Sequence, residues 1–170
     1  MKFWKWLLVF FSVILIWGCG YQLVGKETHL PPGVTSIAIP TFINQTLEPG
    51  IEVPFTQAFL REFILDRRVK VVDRKEAVSL LEGVIKSHSF YVVSFDKSGF
   101  ATEYQTIVVV DVTLKKPNGE ILWSERNLSE TSWYRVSSNV LTNEASKFAS
   151  FQEIGRLVAG RIRNRFFYNF

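Results

Sequence analysis

The chain has 170 residues, 47% of them hydrophobic and 15% aromatic, with 20 Lys and Arg against 16 Asp and Glu. Disordered chains are poor in aromatics and rich in net charge, so these values favour a folded domain. Without Lys2 and Lys5 the balance is 18 to 16, a net of +2, too little for the concentrated cationic face that nucleic-acid binding needs. A single cysteine excludes a disulfide framework, and two histidines argue against a zinc site.

Lys2 and Lys5 precede an apolar run from Leu7 to Trp17, broken only by Ser12 and closed by Gly18-Cys19-Gly20. A bilayer span takes about 20 apolar residues, so this run predicts an export signal over residues 1–18 rather than a membrane helix. Ile16-Trp17-Gly18-Cys19 resembles a bacterial lipobox. The resemblance implies cleavage before Cys19, diacylation of its thiol and acylation of the new amine. Three acyl chains anchor firmly where one is marginal, at about 0.8 kcal/mol per buried methylene. Gly20 stands where an inner-membrane retention signal would place Asp, which points to the outer membrane. Residues 19–34, with His29 and Pro31-Pro32-Gly33, read as a lipidated start and a solvated tether. That leaves residues 35–170 for one domain.

Ile37-Ala38-Ile39, stopped by Pro40, predicts a short first strand within Thr35–Phe42. Phe55, Phe59 and Phe63 recur at steps of four and predict a helix from about Glu52 to Asp66, with Pro54 confined to its first turn. Val69–Asp73 and Ala77–Phe95 are strand-like. Strict alternation puts Leu81, Gly83 and Ile85 on one face and Glu82, Lys86 and His88 on the other, so His88 is expected to be half-exposed. Asp96-Lys97-Ser98-Gly99 is a turn. Thr102–Lys115 is the clearest strand, with Tyr104, Val108, Val110, Val112 and Leu114 on one face. Lys116-Pro117-Asn118-Gly119 signals a hairpin. A last strand from about Glu120 to Tyr134 carries Trp123 and Leu128, but its imperfect alternation leaves its inward face open. A long helix from about Thr142 to Phe166 follows, with Phe148, Phe151, Gly155, Val158 and Ile162 as its expected buried stripe. Arg161, Arg163 and Arg165 read as a solvated face complementing the helix dipole.

The order β-α-β-β-β-α predicts a parallel first crossover and then an antiparallel meander. Two helices on one face of a mixed four-stranded sheet give a two-layer α+β sandwich. No nucleophile elbow, phosphate-cradling loop or paired metal-ligand motif is present. A non-enzymatic protein without metal or cofactor is therefore expected, binding or scaffolding at a membrane surface.

Cys19-Gly20-Tyr21, Leu30 to Thr46 (LPPGVTSIAIPTFINQT), Glu48 to Glu52 (EPGIE), Val71 to Arg74 (VVDR) and Leu81 to Gly83 (LEG) resemble the LptE lipoproteins. Thr102 to Gln105 (TEYQ), Ile121 to Arg126 (ILWSER) and Tyr134 to Leu141 (YRVSSNVL) continue the resemblance in order. It implies a lipoprotein on the periplasmic face of the outer membrane, plugging an LptD-type β-barrel one-to-one and assisting lipopolysaccharide assembly into the outer leaflet. The near-neutral surface suits a polar barrel lumen. Lipopolysaccharide is a phosphorylated amphiphile, so lysines on exposed turns are the expected contacts: Lys97, Lys115 and Lys116. The competing expectation is a lipoprotein scaffold of another envelope complex, with no lipid ligand.

Overall fold

The computed structural model describes residues 30–168; Cys19, His29 and the leader lie outside them. The first strand is shorter than expected, β1 (Ser36–Ala38), and the chain pairs again at β2 (Ile43–Asn44). Helix α1 (Glu52–Asp66) leaves a turn at Gly50, takes Pro54 in its first turn and buries Phe55, Phe59 and Phe63. It ends at Arg67, held in the left-handed conformation at φ 62°, a C-cap position that glycine usually fills. Then come β3 (Lys70–Val71), β4 (Ser79–Phe95), β5 (Ala101–Lys115), β6 (Ile121–Arg135) and α2 (Val140–Tyr168). Asn139 Oδ1 accepts from the Thr142 N–H at 3.1 Å, capping α2.

The architecture is two-layer α+β, as expected, but the sheet has six strands rather than four. Its order is β3-β1-β4-β5-β6, with β2 also on β4. The β1–α1–β3 unit is parallel, β1 and β2 lie parallel on β4, and β4-β5-β6 is an antiparallel meander. One extra strand arises because Pro40 interrupts the first segment without ending its pairing, and the other because the charged turn at Arg74-Lys75-Glu76 separates β3 from β4.

Five register shifts interrupt the β4–β5 and β5–β6 ladders, and two of them decide which side chains meet the helices, since each adds one residue to one side of the ladder and reverses the side chains beyond it. In β4 the shift lies between Ile85 and Ser87. Beyond it His88 falls opposite Val108, on the helix-covered face with Leu81, Gly83 and Ile85, which overturns the face expected for it, although the residue is half-buried as expected. In β6 three steps from Glu125 to Leu128 face two on β5. The surplus is absorbed at Asn127, whose φ is 55° and whose N–H donates to Asp111 Oδ1 at 2.7 Å. Trp123 and Leu128, five residues apart, therefore both face the helices.

Rings form much of the core. Phe42 packs on Phe59 at 4.8 Å, Phe63 on Phe166 at 5.6 Å, and Phe166 on Trp123 at 5.8 Å. Phe42 lies so close over Gly83 that a Cβ there would fall within its ring. Gly155 lets α2 approach α1, with Pro54 O only 3.2 Å from where a Cβ would stand. The stripe on α2 is Phe151, Ile154, Val158, Ala159, Ile162, Phe166 and Phe167; Phe148, expected in it, is 41% exposed, one helical step off the contact line.

Candidate functional site

The buried apolar core between helices and sheet ends at the His88 rung, with only Thr106 and Ser132 buried just beyond it among the described residues. The His88 ring meets Phe151 edge-on at 5.0 Å, and Nε2 lies 2.9 Å from Thr106 Oγ1. Nδ1 is 3.8 Å from Glu48, whose other oxygen accepts from Lys147 at 2.9 Å; Lys147 also bonds Glu144 at 2.8 Å. Burial lowers the His88 pKa below the usual histidine value; Glu48 opposes this and Lys147 adds to it. Burial also pulls the Lys147 ammonium down, but its hydrogen bonds to Glu144 and Glu48 more than offset that and hold it above the ordinary lysine value. This cluster ties the loop before α1 to the start of α2 and closes the core.

Above the cluster β4, β5 and β6 run on as a three-stranded ribbon. Tyr104 and Tyr134 stack across β5 and β6 at 5.6 Å, and Phe90 meets Tyr104 at 5.8 Å. Burial raises the Tyr134 pKa, keeping its hydroxyl protonated well past neutrality. The other apolar side chains of the ribbon are open: Tyr91, Val92, Val93, Phe95, Phe100 and Trp133, with Val140 and Leu141 of α2 at the same end. The apex is a tight turn in which Asp96 Oδ1 accepts from the N–H groups of Ser98 at 2.8 Å and Phe100 at 3.0 Å, and Gly99 takes φ 83°. Lys97 is exposed in this turn, with Phe95, 62% exposed, two residues before it and Phe100, 72% exposed, three residues after it. A cation in a turn with two open rings near it in the chain is a surface for an amphiphilic anion.

The lysines singled out from the sequence separate. Lys115 and Lys116 sit together at the opposite end, where Lys115 bonds Glu82 at 2.7 Å and Lys116 bonds Glu120 at 2.9 Å. Lys97 makes no ion pair among the described residues. At about 3.3 Å per residue of strand, the two ends are roughly 50 Å apart. The arginines of α2 are not a merely solvated face. Arg161 pairs with Glu130, Arg165 with Glu125, and Arg163 with Glu62 at 2.9 Å. Each clamps the helix to β6 or α1, and the pairing leaves no surplus charge for an anion. Among the described residues no helix is long and apolar enough to cross a membrane, and no group of His, Cys, Asp or Glu could hold a metal.

The family model for LptE, described as lipopolysaccharide-assembly, matches residues 34–166, most of the chain. The chain belongs to the LptE family. Among solved structures it is similar to lipoprotein B from Nitrosomonas europaea, at 17% identity over 84% of this chain and 87% of that one, with a TM-score of 0.52. It is also similar to the rare lipoprotein B from Shewanella oneidensis, at 18% identity over 75% and 91%, with a TM-score of 0.46. The first likeness supports the two-layer fold. No curated protein sequence matches the chain.

Sequence reasoning placed Lys97 on an exposed turn, as it is, but missed the exposed Phe95 and Phe100 of the same turn and the Glu48–Lys147 tie. The run from Phe90 to Phe95 carried a signal: it is apolar at consecutive positions, which a half-buried strand is not.

Proposed function

We propose that this LptE-family protein is a non-catalytic lipoprotein, anchored through Cys19 to the periplasmic face of the outer membrane. It plugs an LptD-type β-barrel one-to-one and assists delivery of lipopolysaccharide to the outer leaflet. Within that role, the ribbon apex at Lys97 contacts the glycolipid. The supporting observation is the exposed lysine in the same turn as the exposed Phe95 and Phe100, a pairing of charge and apolar surface that fits a phosphate beside acyl chains. Lys115 and Lys116, each already held by a carboxylate, contribute little.

Tagged protein drawn from detergent-extracted native membranes tests the partnership. A barrel in near one-to-one yield is expected, and its absence overturns the plug. The delipidated domain then tests the glycolipid. A charge-assisted contact contributes about 1.5–3 kcal/mol, so Lys97→Asp should weaken lipopolysaccharide binding at least about tenfold. Lys115→Gln with Lys116→Gln should leave it within a few-fold. Equal binding by all three folded proteins removes Lys97 from the site, and no binding by any of them leaves a scaffold without a lipid ligand.

A further inference from the structure

The two edges of the ribbon are built differently. The β6 edge carries Arg135 within the ribbon and, lower down around the bulge at Asn127, Glu125, Arg126 and Glu130, charges of the kind that keep an edge from recruiting another strand. The β4 edge has strand neighbours only low down, β1 at Ser79 and Leu80 and β2 at Val84 and Ile85, where the Gln45 N–H donates to Ile85 O at 3.0 Å. From Ser89 to Phe95, β4 pairs with β5 alone. Among the described residues no strand pairs on the other side. This stretch has no proline and no charged residue, and Phe90, Tyr91, Val92, Val93 and Phe95 are all exposed. Register shifts between Val92 and Phe95 are its only irregularity.

We propose that the free β4 edge from Ser89 to Phe95 takes up an extended segment of the barrel partner by strand addition, continuing the line that β2 begins. This rests on the barrel partnership proposed above. A closed barrel leaves no strand edge of its own unpaired, so the segment comes from a loop or a chain end. Backbone hydrogen bonds supply the attachment, and the alternate side chains of β4 set which segment fits. Lys86 stands below a run, Ser87 to Phe95, that has no carboxylate, and Asp96 follows it at the turn. The matching segment is therefore apolar and β-branched or aromatic along its middle, with an acidic residue at the end that lies beside Lys86. It covers roughly 20 Å of edge at about 3.3 Å per residue.

Hydrogen–deuterium exchange at residue resolution tests this, comparing full-length lipoprotein alone with the complex isolated from native membranes. Edge-facing amides between Ser89 and Phe95 should exchange at least 100-fold more slowly in the complex, while those along the β6 edge change far less. Tyr91→Lys with Val93→Lys replaces two exposed side chains; it should keep the melting temperature and return the β4 amides to fast exchange. Unchanged β4 amides in an intact complex overturn strand addition while the partnership stands. Equal slowing along both edges means general shielding and also overturns it. Protection in the isolated protein together with a doubled mass assigns the edge to a second copy instead. Failure to isolate any barrel overturns the partnership itself, and this inference with it.

Discussion

The same three strands pass through two environments. Below His88 they lie under α1 and α2, and Val108, Val110, Val112 and Leu114 are completely buried. Above it they have β-formers just as strong, yet Phe90, Tyr91, Val93 and Phe95 are 47–62% exposed. Local propensity does not distinguish the halves; the reach of α2 does. The lower half is held by burial, at roughly 25 cal/mol for each Å² of apolar surface. The upper half is held by cross-strand pairs such as Tyr104 on Tyr134, worth about 0.2–1 kcal/mol each. One half carries stability and the other presents surface.

That contrast breaks most sharply at the covered rings. Phe59→Ala or Phe151→Ala should cost about 3–5 kcal/mol in thermal or denaturant unfolding. Near-normal melting in both variants would mean that the helices do not grip the sheet as described. Gly83→Ala should cost about 1–3 kcal/mol by driving Phe42 off its seat, and Phe42→Leu should restore part of it.

A smaller effect belongs at the boundary. The folded His88 pKa lies below 6.5, so as pH falls the unfolded chain takes the proton first. The stability that neutral His88 contributes is complete above about pH 6.5 and is lost as pH drops through that value towards the folded one. Melting temperatures between pH 7.5 and 5.5 should therefore decline in the wild type and flatten in His88→Gln; parallel curves would place the titration elsewhere. At the apex, Phe95→Ser with Phe100→Ser should change stability by no more than about 0.5 kcal/mol while weakening lipopolysaccharide binding.

Where periodicity runs unbroken, the sequence is legible. The alternation of Tyr104 to Leu114 and the four-residue steps of Phe55, Phe59 and Phe63 led directly to the buried faces. It fails where geometry depends on a residue with no periodic mark. Nothing in Lys86-Ser87 announces a bulge, so His88 was placed on the wrong face. In β6 the imperfect pattern around Asn127 was visible but could not be resolved without the Asp111 bond that fixes it. Lys97 was legible because a turn must expose its apex. The carboxylates that occupy Lys115, Lys116 and the α2 arginines come partly from other elements, and only folding brings those together.

The placement of Leu30 has a mechanical consequence. Leu30 packs on the core and leads into β1, which starts at the end of the sheet where β4 begins and β5 finishes. Lys97 is at the other end. From the anchor proposed at Cys19, eleven residues precede Leu30, a leash of at most roughly 40 Å at about 3.3–3.6 Å per residue. The sheet is longer than that, at roughly 50 Å. Under that proposed anchor, a protein standing upright on its leaflet could not invert to bring its apex down to the same leaflet, because the leash would run out first. The short leash would then act as a polarity device, directing the aromatic apex away from the anchoring surface.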